Sequence, residues 1–173
     1  MAGEEVTPAD WGPASSRTIS WHDPRPTAAA LPTMAGLDAL RALLAGTYPP
    51  PPIMAALGIA LESADPGEAV FTCTPDDSVY NPIGVVHGGL VCTMLDSAIG
   101  CAVQTTLPAG VTYTSIELKV SYLRPVHAGM TLRARGWVVK PGRRVAFADG
   151  DVRDGEGKIV ATGSGSCLVM PAG

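Results

Sequence analysis

A single acidic side chain stands alone in the middle of the sequence. Between Ser78 and Ile116, Asp96 is the only residue with a formal charge, and His87 is the only histidine. Asp96 lies in the stretch LVCTMLDSAIGCAV, which is apolar nearly all round and predicts a buried helix. A carboxylate buried there is costly unless it is paired or used. Asp96 is therefore a candidate general base; the alternative is an aspartate hydrogen-bonded to Ser, Thr or backbone at a subunit contact.

The triplet His87-Gly88-Gly89 opens this predicted helix. The first N–H groups of a helix have no internal acceptor, and the helix dipole adds partial positive charge there. Glycine lets a substrate carbonyl come close to the backbone, so the triplet can form a site that stabilises an oxyanion. Taken alone the motif is weak, because His-Gly-Gly often forms only a turn before a helix. Its position ahead of Asp96 is what makes it a candidate.

Three further polar residues flank these motifs. Asn81 precedes Pro82 in a loop, where its amide could orient a carbonyl or a water, although Asn-Pro is also an ordinary start of a turn. Thr114 and Ser115 begin a strand of alternating polarity. A hydroxyl there could hold a water, but Ser and Thr are also common in strands.

The other histidines and the cysteines predict no metal site. His22 and His127 lack the spacing of metal ligands. The cysteines form no CxxC pair and have no obvious base beside them, so they are interpreted as core residues in a reducing cytoplasm: Cys73, Cys92, Cys101 and Cys167.

Length and charge exclude other classes. The chain has 173 residues, 46% apolar and 16% charged, which suits one domain with or without an extension. The net charge of -4 leaves no electrostatic footprint for nucleic acid. No apolar run approaches the roughly 18 residues of a membrane span, and the acidic start MAGEEVTPAD lacks the basic region of a secretory signal.

The first third of the chain predicts an extension rather than a domain. Residues 1–33 are rich in Pro, Ala, Ser and Thr without a period, which predicts a mobile arm, although Trp11 and Trp21 could dock on a folded surface. Residues 34–54 predict a short amphipathic helix over 34–46 and a stiff spacer at Pro49–Pro52. The main domain is expected over residues 55–170.

The sequence of that domain predicts, in chain order, two strands, one long helix and four strands. The helix is expected over residues 87–107. Strands are expected at 57–64 and 68–74, and after Pro108 at the alternation Ile116–Tyr122, at 129–140, at 143–153 and at 158–169. Small residues recur at period two in the last two strands: Ala146, Ala148, Gly150, Ala161, Gly163 and Gly165. They favour a sheet curled around the helix over loosely specified edge strands.

Three stretches together resemble the hotdog-fold acyl-CoA thioesterases of the phenylacetate-pathway (PaaI-like) type: NPIGVVHGGLVCTMLDSAIG, TSIELKVSYLRPV and GRRVAFADGDVRDGEGKIVATGSGSC. The leader stretches SWHDPRP and GLDALRALLAGTYPPPPI also resemble members, so the resemblance spans about residues 18–170. It implies an α+β hotdog fold, a curved antiparallel β-sheet wrapped around a long central helix.

The resemblance also implies roles for matching residues. It makes Asp96 a general base on water or a nucleophile, and it makes the Gly88 N–H the donor that polarises the thioester carbonyl. Asn81 and His87 would shape that site and position the thioester or the water. Ser115, or less often Thr114, would orient the water.

The implied reaction is hydrolysis of a small or medium acyl-CoA, aryl acyl groups included. It needs no metal or redox cofactor, and CoA enters only as part of the substrate. The implied assembly is a homodimer with shared active sites, or a tetramer of two such dimers. Gly89 belongs to the expected substrate-binding set. Three arginines are equally well interpreted as partners of the CoA phosphates or as solvated strand-end residues: Arg124, Arg143 and Arg144.

Other functions stay open at this point. A hotdog protein that binds acyl-CoA or an apolar ligand without turnover would not need the base Asp96. A hydratase would need a second acid–base group, and no second carboxylate lies near Asp96 in the sequence. A β-barrel ligand binder would not explain the long central helix.

Overall fold

A computed structural model describes residues 12–172. One six-stranded antiparallel sheet, in the order β1-β2-β4-β5-β6-β3, forms its main layer. The strands are β1 (Ile59–Asp65), β2 (Glu68–Cys73), β3 (Val111–Tyr122), β4 (Leu132–Lys140), β5 (Val145–Arg153) and β6 (Ile159–Pro171). The helices are α1 (Arg25–Ala30), α2 (Gly36–Leu44), α3 (Pro52–Leu57) and α4 (Gly88–Gln104).

The sheet curls around α4, which contacts all six strands. Met94 and Leu95 of α4 are completely buried against the sheet, and Ile99 is nearly so. This arrangement confirms the hotdog fold that the resemblance implies. No helix within residues 12–172 combines the length and the apolar character needed to cross a membrane.

Small residues on the inner face of the sheet let α4 come close, as the sequence predicts. A Cβ added at Gly136 of β4 would lie 2.3 Å from the carbonyl group of Ala98 in α4. Three glycines of β5 and β6 are also close, because their added Cβ atoms would lie 3.0–3.3 Å from side chains of α4: Gly150, Gly163 and Gly165. The backbone of the helix therefore almost touches the backbone of the sheet.

Within the segment predicted to be a mobile arm, residues 12–24 have no helix or strand, but the part that follows is helical. Residues 25–33 form α1 and a short 3₁₀ turn. Pro26 suits the first turn of α1, because an N–H at that position would have no acceptor within the helix. The segment is also attached to the fold, since the Gly110 N–H donates to the Pro32 carbonyl oxygen over 2.8 Å. Trp21 is exposed, and Trp11 lies outside the described residues.

The proline run ends in a helix that the sequence analysis does not predict. Pro52 begins α3, where a proline costs no helical hydrogen bond. Gly58 ends it in the left-handed conformation (φ 66°) and donates its N–H to the Met54 carbonyl oxygen. The boundary expected between residues 54 and 55 therefore cuts through α3. The other predicted elements are present and differ by a few residues at their ends.

We expect Gly136→Ala to destabilise the fold by about 1–3 kcal/mol, because the new methyl group would overlap the backbone of α4. Gly155→Ala is the matched control, since a Cβ there meets no atom within 4 Å. Urea unfolding measures both variants. Equal free energies of unfolding for the two would contradict the close approach of α4 to β4.

Candidate active site

Asp96 lies on the one face of α4 that the sheet of this chain leaves uncovered. Its side chain is exposed, whereas its neighbour Leu95 is completely buried. The expectation of a buried carboxylate is therefore wrong for the single chain. The apolar sequence around Asp96 reflects three covered faces of the helix, and helical periodicity places Asp96 on the fourth, next to β3.

Ser115 of β3 holds the carboxylate of Asp96. Its hydroxyl donates to Oδ1 of Asp96 over 2.8 Å. The pairing of β3 with β6 shifts register just after Ser115, which marks an irregularity beside this contact. Thr114 precedes Ser115 in the strand and so points to the opposite face of the sheet. Of the two hydroxyl residues predicted for the site, the structure brings only Ser115 to Asp96.

The start of α4 leaves one backbone donor free. His87 caps the helix, with its Nδ1 accepting from the Gly89 N–H over 2.8 Å. The Leu90 N–H donates to the His87 carbonyl oxygen over 3.0 Å. No group within residues 12–172 accepts from the Gly88 N–H. Gly88 therefore presents a free N–H at the positive end of the helix dipole, as an oxyanion donor must.

Tyr122, at the end of β3, fixes the position of Gly88 and was missed by the sequence analysis. Its hydroxyl donates to the Gly88 carbonyl oxygen over 2.9 Å, and a Cβ at Gly88 would lie 3.0 Å from its ring. Partial burial raises the pKa of Tyr122, so the hydroxyl stays protonated and able to donate at neutral pH. In the sequence, Tyr122 looks only like another apolar residue of an alternating strand.

Asn81 shapes the loop before the helix. Its Oδ1 accepts from the N–H groups of Ile83 and Val85 over 3.1 and 3.3 Å. Asn81 and Gly88 border the same cavity of about 450 Å³, together with Tyr122 and Arg124. The asparagine thus has an evident structural role in holding the loop beside the free N–H.

The three predicted arginines lie in two different places. Arg124 borders the cavity of Gly88 and donates from its guanidinium to the Ile159 carbonyl oxygen. Arg143 and Arg144 lie in the turn between β4 and β5. There Arg143 borders a cavity with Thr106, just past the C-terminal end of α4. Only Arg124 is brought near Gly88 within one chain.

A larger, mostly apolar cavity of about 600 Å³ reaches Asp96 from the other side. We call it the chamber. Its lining comes from α2, α3, β1, β2, β3 and α4, with Asp96, Ser97, Cys101 and Tyr113 as its main polar groups. Asp96 also borders a smaller cavity of about 350 Å³ that it shares with Ser115. The carboxylate therefore stands where the chamber meets the surface beside β3.

The other polar groups of the chamber are uncharged at neutral pH. Burial raises the pKa of the Cys101 thiol to about 12 and raises the pKa of Tyr113 well above its ordinary value. Burial also raises the pKa of Cys73, Cys92 and Cys167. Protonated thiols are poor nucleophiles. Cys73 and Cys167 are buried, as the sequence predicts, whereas Cys92 and Cys101 are only partly buried.

The described residues contain no cluster of three or more His, Cys, Asp or Glu side chains able to hold a metal ion. The site consists of the Asp96 carboxylate, held by the Ser115 hydroxyl, and the free backbone N–H of Gly88. A carboxylate can take a proton from water, and an N–H at a helix start can stabilise an oxyanion. Asp96 and Gly88 border different cavities within one chain.

An antiparallel sheet wrapped around one long helix, with this site along that helix, defines a protein of the hotdog class. The family model of the thioesterase superfamily matches residues 83–161, which include Gly88 and Asp96. Acyl-coenzyme A thioesterase 13 of Homo sapiens is 30% identical over 106 residues, covering 61% of this chain and 75% of the relative. The chain belongs to the thioesterase superfamily, and the prediction of a thioester hydrolase is confirmed.

Solved structures agree with this assignment. The Escherichia coli PaaI protein from the phenylacetic acid degradation operon is similar with a TM-score of 0.68 and 26% identity, covering 81% of this chain and 96% of that one. The smu.793 protein of Streptococcus mutans, solved bound to acetyl CoA, has a TM-score of 0.61 and 25% identity, covering 65% and 89%. The PaaI-like resemblance of the sequence is therefore confirmed.

We expect His87→Ala to lower the free energy of unfolding by about 1 kcal/mol, because the Gly89 N–H loses its acceptor. His87→Asn should restore most of that loss, since asparagine is a good helix cap. Urea unfolding of the two variants and the wild type gives the comparison. If alanine and asparagine behave alike, the side chain at position 87 does not cap α4.

Proposed function

We propose that this enzyme hydrolyses acyl-CoA thioesters, with Asp96 acting on the water or on the thioester itself. The position of Asp96 carries the proposal, because its carboxylate is held by Ser115 at the mouth of an apolar chamber. The names of the relatives support the choice of substrate. One is an acyl-coenzyme A thioesterase, and a similar structure was solved with acetyl CoA.

In the general-base route, Asp96 takes a proton from a water while the water oxygen bonds to the thioester carbonyl carbon. The Gly88 N–H stabilises the oxyanion that forms on the carbonyl oxygen. The C–S bond then breaks and the acid is released, and the leaving CoA thiolate takes up the proton that Asp96 had accepted, which restores the carboxylate. In the nucleophile route, an oxygen of Asp96 bonds to the carbonyl carbon, CoA leaves, and water hydrolyses the resulting anhydride.

The remaining residues have supporting roles in this proposal. His87 and Asn81 hold the Gly88 N–H in place through the helix cap and the loop. Arg124 beside that cavity is proposed to contact a CoA phosphate. Asp96 and Gly88 need no metal or redox cofactor for this reaction. The described residues contain four free thiols, which suits the reducing cytoplasm that the sequence predicts.

We also propose that the active unit is a dimer whose sites are each built from two chains. Gly88 and Asp96 are eight residues apart, about 12 Å along α4. A base and an oxyanion donor must both lie within a few ångströms of one carbonyl. One chain therefore supplies the two groups to different sites.

The edge strand β3 supports this assembly. β3 lies at one edge of the sheet, next to β6, and carries the exposed Ile116. Both Asp96 and Gly88 lie beside it. Ser115 near its start contacts Asp96, and Tyr122 at its end contacts Gly88. A two-fold axis near Leu118 would pair β3 with its copy and set the two α4 helices antiparallel. Asp96 of each chain would then face Gly88 of the other.

We expect Asp96→Asn to lower kcat for acyl-CoA hydrolysis by about 10²–10⁴, the usual cost of losing a base. The variant should stay folded, because position 96 is exposed in the chain and the amide oxygen can still accept from Ser115. Release of free CoA measures turnover, and thermal unfolding confirms the fold. Asp65→Asn is the matched control, since Asp65 is an exposed aspartate in the β1–β2 turn region. Near-normal turnover by a folded Asp96→Asn enzyme would rule out the assigned role.

We expect two inactive variants, Asp96→Asn and Gly88→Val, to complement each other after subunit exchange. A random mixture of equal amounts should contain intact sites at about a quarter of the wild-type number, one in each hybrid dimer. A valine side chain at position 88 would crowd Tyr122 and the incoming carbonyl. Activity is measured before and after exchange, with hybrid formation followed by mass spectrometry.

Each variant exchanged with itself is the control for complementation. Hybrid dimers without recovered activity would contradict the shared site. A fully active monomer would contradict it as well.

A further inference from the structure

The chamber is an open, mostly apolar cleft, and one of its walls comes from α2 and α3, the helices that precede the sheet. We infer that α2 and α3 form the wall of an acyl-chain site, so that the enzyme selects apolar acyl groups of about eight carbons or more. This inference rests on the proposed function and adds the substrate class to it.

The chamber has the volume of a ligand-binding cleft. The space beside Asp96 measures about 600 Å³, within the range of about 300–1,000 Å³ that is typical of such clefts. At about 30 Å³ for each water-sized group, it holds about 20 such groups. On this measure an acetyl group fills about a tenth of the chamber, whereas an acyl chain of about eight carbons fills about two fifths of it and longer chains fill more.

The wall of the chamber is apolar and carries no positive charge. Leu40 and Leu43 of α2 and Ile53 and Met54 of α3 line the chamber, opposite Phe71 of β2. No lysine, arginine or histidine lies among the lining residues. Such a wall gains free energy from each methylene that it removes from water. An acyl group ending in a carboxylate would instead be desolvated there without a cationic partner, at high cost.

The attachment of α2 shows that the wall is part of the folded structure. Gly36 at its start donates its N–H to the Leu107 carbonyl oxygen over 2.9 Å. A Cβ at Gly36 would lie 1.8 Å from the carbonyl oxygen of Gln104. The start of α2 therefore rests directly on the C-terminal end of α4, the helix that carries Asp96.

The other end of the wall is continuous with the sheet. Gly58 ends α3 and leads straight into β1, and the preceding proline run restricts the backbone between α2 and α3. Both helices pack on β1. A wall fixed at both ends keeps the chamber open instead of collapsing into it.

Binding of non-hydrolysable thioethers tests the inference without any turnover. Isothermal titration with S-methyl-, S-octyl- and S-dodecyl-CoA should show affinity rising about fourfold per methylene over the first several carbons. Leu43→Trp, which fills the chamber, should weaken binding of S-dodecyl-CoA at least tenfold and leave S-methyl-CoA unchanged. Ala45→Trp is the matched control, since the exposed Ala45 lies at the end of α2 and does not line the chamber.

Equal affinity of the wild type for S-methyl- and S-dodecyl-CoA would overturn the inference. This comparison needs no variant, so a misfolded Leu43→Trp protein would not prevent the decision. Chain-length-dependent binding without hydrolysis of any acyl-CoA would support the acyl site and contradict the proposed function. Asp96-dependent hydrolysis at the same kcat/KM for acetyl-, octanoyl- and dodecanoyl-CoA would support the proposed function and contradict the acyl site.

Discussion

The close approach of α4 to β4 determines most of what the rest of the molecule can do. Gly136 brings the strand backbone against the carbonyl of Ala98, and glycines in β5 and β6 leave room for the side chains of α4. Because the helix sits so deep, strands of the sheet cover most of its circumference. The face that carries Asp96 stays open between β3 and the chamber, and a polar group on α4 can meet substrate there.

This constraint explains why one helix carries both reactive groups. Asp96 lies on the open face, while the N–H of Gly88 is free because the first turn of any helix lacks internal acceptors. β3 then supplies a positioning contact for each group, a hydroxyl to the carboxylate and a hydroxyl to the Gly88 carbonyl. The spacing of the two groups along α4 is also what makes a second chain necessary in the proposed site.

Much of the fold was predictable because local sequence patterns indicate its strands and its long helix. Alternation marked the strands, and the lone charge and the His-Gly-Gly triplet pointed to Asp96 and Gly88. The exposure of Asp96 was not predictable, because an apolar helix sequence does not show which face the sheet leaves open. Tyr122 was missed since its contact with Gly88 joins residues 34 apart. The helix α3 was missed because a proline run indicates a break as readily as a helix start.

The chamber could not be predicted from the sequence for a different reason. A cavity is the space that remains between segments distant in the chain, here α2, α3, β1, β2 and α4, so no single stretch of sequence encodes it. Its wall comes from α2 and α3, whereas Asp96 and Gly88 are positioned by contacts of α4 with β3. Exchange of the wall side chains that face the chamber is therefore expected to change acyl preference more than thioester chemistry. In the proposed enzyme, acyl preference and thioester chemistry are thus carried by different parts of the chain.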